Sequence, residues 1–180
     1  MLISANRSQL LIVDVQERLA PAMHDLPGIV KTIGLLTAAA EAVSVPLTLS
    51  EQYPKGLGST SAEIADMAGD APRFEKLHFS CFGDEALRDR MSKLDRDILV
   101  IAGIEAHVCV LQTALGAMQY GLLPVVVADA VSSRTTDNHA LGLARMRAAG
   151  VTIASAEMVA FEWIEKAGTP AFKSIAPLLK

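Results

Sequence analysis

Three residues of this sequence have types that together can cleave a carbon–heteroatom bond: Asp14 in QLLIVDV, Lys76 in RFEKLHFS, and Cys109 in GIEAHVCV, directly after the apolar run DILVIA. A thiol attacks only as thiolate, and a helix N-terminus favours that anion through its unpaired N–H groups and macrodipole. Asp14 follows an apolar strand, where a buried carboxylate must cap a turn or meet a cation. Lys76 shares a face with Phe74 if RFEKLHFS is a strand with Phe74 turned to the core, and an inward lysine needs a partner. Each residue also has a plain structural reading: a packed small hydrophobe, a cap, a solvated lysine. Taken together, a carboxylate, an ammonium and a thiol make a base, an electrostatic stabiliser and a nucleophile.

Such a set needs segments that deliver all three residues to one edge. Strands are expected over 9–15, 45–51, 73–80, 97–103, 123–129 and 151–155, where β-branched and apolar runs occur. After the turn residues Pro27 and Gly28, helical spacing covers 29–43, and it recurs over 84–94, 107–120 and 138–150. Alternation of this kind implies an α/β domain over 1–180, with a six-stranded, mostly parallel sheet and helices on both faces. In that architecture strand C-termini and helix N-termini collect where ligands bind.

Composition narrows the partners. A hydrophobic fraction of 51% with only 4% aromatic gives a core of Ala, Val, Leu and Ile, as buried parallel strands require. A net charge of −4 with scattered Lys and Arg excludes the footprint of a nucleic-acid binder, so a small-molecule substrate is expected. The longest apolar runs are too short to span a bilayer, so no membrane partner is expected. Two cysteines make no disulfide framework and the first residues lack signal-peptide features, which points to a reduced, cytoplasmic protein. Helices such as LQTALGAMQYGLL are rich in small apolar residues, which suits a homo-oligomer, dimer or larger.

DVQ at 14–16, EK at 75–76 followed by FSCF, and GIEAHVCV at 103–110 resemble the isochorismatase-like cysteine hydrolase superfamily. SEQYPKGLG, DAVSSR and LARMRAAG are similar to its isochorismatase domain-containing branch, and the resemblance spans roughly residues 9–165 in order. It implies a three-layer αβα Rossmann-like fold and a triad of Asp14, Lys76 and Cys109. Asp14 would take the thiol proton and return it to a leaving amine, Lys76 would hold charge and orient Asp14, and water would hydrolyse a thioester. The resemblance also implies a cis peptide between Ile104 and Glu105, and an oxyanion hole from the backbone N–H groups of Glu105 and Cys109.

Isochorismatases proper lack the cysteine, so Cys109 favours an amide-like C–N bond. Nicotinamidases hold a metal through histidines in a region that here reads SEQYPKGLGST, with none, and His24, His78, His107 and His139 form no ligand pattern. No metal and no cofactor are expected; GLGST is too incomplete for a phosphate loop. Gln16, Gln52, Tyr53, Phe79 and His107 are candidate substrate-pocket residues, each with a reading as a loop or packing residue. Cys81 is the competing thiol. The alternatives to a hydrolase are a non-catalytic metabolite-binding protein and a redox-sensing thiol on the same fold.

Overall fold

The computed structural model describes residues 2–179; positions 1 and 180, the ends of the expected domain, lie outside the described residues. Six strands form its centre: β1 Ser8–Val13, β2 Leu47–Gln52, β3 Arg73–Lys76, β4 Ile98–Ile104, β5 Leu123–Ser132 and β6 Thr152–Ala154. They lie in the order β3-β2-β1-β4-β5-β6 with every neighbouring pair parallel. The chain moves outward from β1 to β3, then crosses back to β4, so the order reverses between β1 and β4. That is the switch point where the crossover loops part and leave a crevice.

Side-chain alternation divides the core into two layers. Leu10 and Ile12 of β1, with Ile98, Val100 and Ala102 of β4, face a layer covered by α1 Leu26–Ala42. Leu11, Val13, Leu99 and Ile101 face the opposite layer. Along the chain the further helices are α2 Pro54–Leu57, α3 Ala62–Ala68, α4 Glu85–Lys93, α5 Leu111–Gln119, α6 Thr136–Ala148, α7 Ala156–Ile164 and α8 Pro170–Ile175. Ile64 of α3, Trp163 of α7 and Ile175 of α8 join the α1 layer, whereas Leu87 of α4, Ala114 of α5 and Met146 of α6 join the other. A fully buried aliphatic side chain contributes about 1.5–3 kcal/mol, and the central strands β1 and β4 are buried along their whole length.

Several boundaries differ from the sequence expectation, each for a local reason. Helix α1 begins at Leu26 rather than 29, because Asp25 caps Gly28 N–H and Pro27 is tolerated in a first turn. The expected strand over 9–15 stops at Val13, since Asp14 takes a left-handed φ of 54°. The expected strand over 73–80 stops at Lys76; the chain then bends so that the carbonyls of His78 and Phe79 accept from Lys76 Nζ. The helix expected over 107–120 opens as a π-helical turn, Ala106–Val110, before α5. β5 runs on to Ser132, three residues past the expected end at 129. Helices α2, α3, α7 and α8 were not expected.

Candidate active site

β1 delivers Asp14 to the crevice, β4 delivers the turn carrying Cys109, and the edge strand β3 delivers Lys76. The close approach of β1 and β4 depends on Gly103, whose φ is +112° and whose added Cβ would lie 2.1 Å from the Val13 carbonyl oxygen. No side chain fits there. The pairing register of β4 with β5 shifts at the same point, and the Ile104–Glu105 peptide that follows is cis.

Asp14 has no exposed surface, and both carboxylate oxygens accept hydrogen bonds: Oδ1 from Ser50 Oγ at 2.7 Å and Oδ2 from Lys76 Nζ at 2.7 Å. Lys76 Nζ also donates to Gln52 Oε1 at 2.6 Å and to the carbonyls of His78 and Phe79 at 3.3 and 3.2 Å. An ammonium has three N–H bonds, so its hydrogen-bonding capacity is filled. Burial works against the Lys76 charge, but Asp14, with smaller contributions from the two thiols, outweighs it and holds its pKa above the ordinary value.

Cys109 lies in the π-helical turn, 5% exposed. Burial, and then the negative charge of Asp14, push its thiol well above the ordinary range; Lys76 acts in the opposite direction, and a hydrogen bond to Asp14 adds to the rise. A thiol so raised keeps its proton at neutral pH, and Asp14 and Lys76 are the charged groups that act on it.

Cys81 belongs to the same cluster. Its side chain is fully buried, it interacts with Asp14, Lys76, Ser50 and Thr113, and burial above all pushes its thiol up to about 11. Its backbone N–H donates to Thr113 Oγ1 at 3.0 Å. Ser50 and Thr113 are the residues beside Asp14 and Cys81 that sequence reasoning missed.

The candidate pocket residues divide. Gln16 and Gln52 are buried and their side chains hydrogen-bond within the protein. Gln16 Nε2 donates to the carbonyls of Gln52 and Gly58, and its Oε1 accepts from Gln52 N–H. Gln52 gives its Oε1 to Lys76 and its Nε2 to the Leu77 carbonyl. Tyr53 lines a cleft of about 310 Å³ beside β3, with Lys55, Glu75 and Asp84. The Lys76 side chain has no exposure, so that cleft does not open onto its ammonium. Phe79 is half exposed and contributes its carbonyl to Lys76. His107 Nδ1 is 2.9 Å from Ser133 Oγ, which turns the ring toward the end of β5. Glu105 is nearly buried and its Oε2 accepts from the backbone N–H and the Nε of Arg134, at 3.0 and 3.1 Å. Among the described residues, no group of three or more His, Cys, Asp or Glu could hold a metal ion, and no helix is long and apolar enough to cross a membrane.

A family model for the isochorismatase domain matches residues 8–158. The chain is 38% identical over 177 residues to the secreted isochorismatase effector Isc1 of Phytophthora sojae, covering 96% of this chain and 84% of that protein. It is 33% identical to isochorismatase domain-containing protein 2 of Danio rerio, over 98% and 89% of the two chains. A structure of the MAR1 ribonuclease from Caenorhabditis elegans superposes with a TM-score of 0.92 at 33% identity, covering 99% of this chain and 92% of that one. The octameric Escherichia coli YcaC hydrolase of unknown specificity superposes equally well, with a TM-score of 0.92, over 99% and 89% of the chains; at 23% identity that likeness concerns the fold.

Proposed function

The chain belongs to the isochorismatase family, and from that premise we propose that it is a metal-independent cysteine hydrolase that cleaves an amide-like C–N bond of a small molecule. One observation carries the reading: a buried carboxylate, braced by Lys76 and Ser50, acts on a buried thiol whose pKa burial and that carboxylate raise. Burial without function is costly for all three groups, and the arrangement is that of a base, its counter-ion and a nucleophile.

Asp14 takes the Cys109 proton as the thiolate attacks the carbonyl carbon. The oxyanion so formed is met by the backbone N–H groups of Glu105 and Cys109 at the end of β4 and the turn after it. Lys76 neutralises Asp14 at rest and keeps it oriented. Asp14 returns the proton to the nitrogen as the C–N bond breaks, leaving a thioester. Water then attacks the thioester with Asp14 as base, releasing the carboxylic acid and restoring the thiol.

The charges near Cys109 are already paired, Asp14 with Lys76 and Glu105 with Arg134, and its surface is almost covered. A small, uncharged electrophile suits such a site better than a polymer, although one structural neighbour is a named ribonuclease. Free thiols at Cys81 and Cys109 suit a reducing, cytoplasmic setting. Exposed Tyr53, Leu77 and Phe79 near the site suit burial against another copy, and the YcaC neighbour is an octamer.

The test is acid quenching of the protein during turnover of a panel of primary amides, followed by peptide mass spectrometry. An acyl mass on the Cys109 peptide, absent in Cys109→Ala together with turnover, is expected. Amide hydrolysis that survives in folded Cys109→Ala overturns the mechanism.

A further inference from the structure

We propose that Ser50 is the positioning residue of the general base: its hydroxyl, held in place by strand β2, fixes the Asp14 carboxylate for proton transfer from Cys109. The inference rests on the role of Asp14 proposed above.

Ser50 holds Asp14 at two points. Its carbonyl accepts the Asp14 backbone N–H at 3.1 Å, and its hydroxyl donates to Oδ1 at 2.7 Å. Parallel register sets Ser50 across from Val13, so the residue that follows Val13 meets it as β1 ends. Asp14 leaves the strand in a left-handed conformation, and strand pairing no longer constrains its side chain there. With Oδ1 on Ser50 and Oδ2 on Lys76, the carboxylate cannot turn about its own axis.

The hydroxyl has one proton, and Asp14 receives it, so Ser50 Oγ can only accept from anything behind it. Cys81 is a buried neighbour of this cluster, its thiol pushed up to about 11 chiefly by burial. Thr113 ties the arrangement back to the nucleophile. It accepts the Cys81 backbone N–H at 3.0 Å and stands four residues after Cys109, on the same side of the helix. The Cys81 backbone is thereby tied to α5, the helix that continues from the turn carrying Cys109.

The experiment is the pH dependence of Cys109 alkylation by iodoacetamide, followed by peptide mass spectrometry on the full-length protein, with thermal unfolding as the folding control. A donor to an ionised carboxylate favours its charged form, so Ser50→Ala is expected to move the acidic inflection to higher pH by about one unit. Ser50→Thr, which keeps the hydroxyl, is expected to restore it. An inflection in folded Ser50→Ala that coincides with wild type overturns the proposal; if that variant does not fold, near-isosteric Ser50→Cys takes its place with the same criterion. Asp14→Asn separates the two levels. Loss of the inflection there supports the base assignment whatever Ser50 does, whereas an unmoved inflection in Asp14→Asn overturns that assignment and the role of Ser50 with it.

Discussion

Lys76 Nζ lies 2.7 Å from Asp14 Oδ2, and neither side chain has any exposed surface. A pair this deep loses most of its mutual attraction to desolvation, so it contributes little net stability while making either partner alone very costly. Lys76→Met is therefore expected to destabilise the protein by about 3–5 kcal/mol, because the Asp14 charge is stranded. Adding Asp14→Asn, a residue that tolerates the left-handed φ of 54° at this position, should recover much of that loss and leave Cys109 inert. Urea denaturation beside iodoacetamide labelling checks both halves; a double variant no more stable than Lys76→Met means the pair holds the fold together.

Alkaline pH should unfold the protein earlier than its carboxylates alone imply. The Cys81 thiol is raised from 9.0 to about 11 in the folded state, chiefly by burial, so the native protein holds its proton longer than the unfolded chain does. Its contribution is fully present below pH 9 and is lost as pH rises toward 11, about 2–3 kcal/mol in all. Cys109 is raised from the same 9.0, so its contribution also begins to be lost from pH 9 and continues to higher pH, and Lys76, raised above 10.5, adds to the loss from there. Melting temperatures from pH 8 to 11 should fall steeply in wild type and less steeply in Cys81→Ala.

Glu105 and Arg134 form an asymmetric pair, with side chains 9% and 60% exposed respectively. Arg134 can turn to water, so the charge pairing itself contributes at most about 1 kcal/mol. The Arg134 backbone N–H, in contrast, depends on the same Oε2. Glu105→Gln retains an acceptor and should cost less than about 1 kcal/mol, whereas Glu105→Ala should cost about 1–3 kcal/mol. Equal losses in chemical denaturation would show that the charge, not the acceptor, matters.

What could be read beforehand follows from which interactions are local. Asp14 and Cys109 are legible because each comes just after an uninterrupted apolar run of strand length, and such runs end at the ligand-binding edge of a parallel sheet. Lys76 is legible by parity with Phe74, although the strand stops at Lys76 because the following carbonyls bend back to its ammonium. Ser50 is not legible, since its role depends on β2 lying beside β1 in register with Val13, which no property of LTLSEQ announces. The internal partners of Gln16 and Gln52 are not legible for the same reason: the backbone carbonyls that accept from their amides belong to neighbouring segments. Helix α7 carried a signal that went unused, the Ser155 cap before an apolar run, while α2 has only four residues and too little periodicity to recognise.

The π-helical turn around Cys109 is held by packing from outside it, and Gly142 is where that can be tested. This glycine of α6 lies against the turn so closely that an added Cβ would stand 3.0 Å from His107 Cα and 3.1 Å from the carbonyl carbon and oxygen of Ala106. These are backbone atoms and cannot swing aside as a side-chain tip can, so Gly142→Ala should cost about 1–3 kcal/mol through overpacking and displace the turn. Reaction geometry tolerates displacement poorly, and the iodoacetamide rate at Cys109 should fall at least about tenfold while the protein remains folded. Gly168→Ala is the control: its φ of +80° makes alanine strained there, yet an added Cβ meets nothing within 4 Å. It should lose about 1 kcal/mol of stability with the Cys109 rate unchanged. If the two variants slow the thiol equally, the loss follows global stability rather than the turn, and α6 has no part in placing the nucleophile.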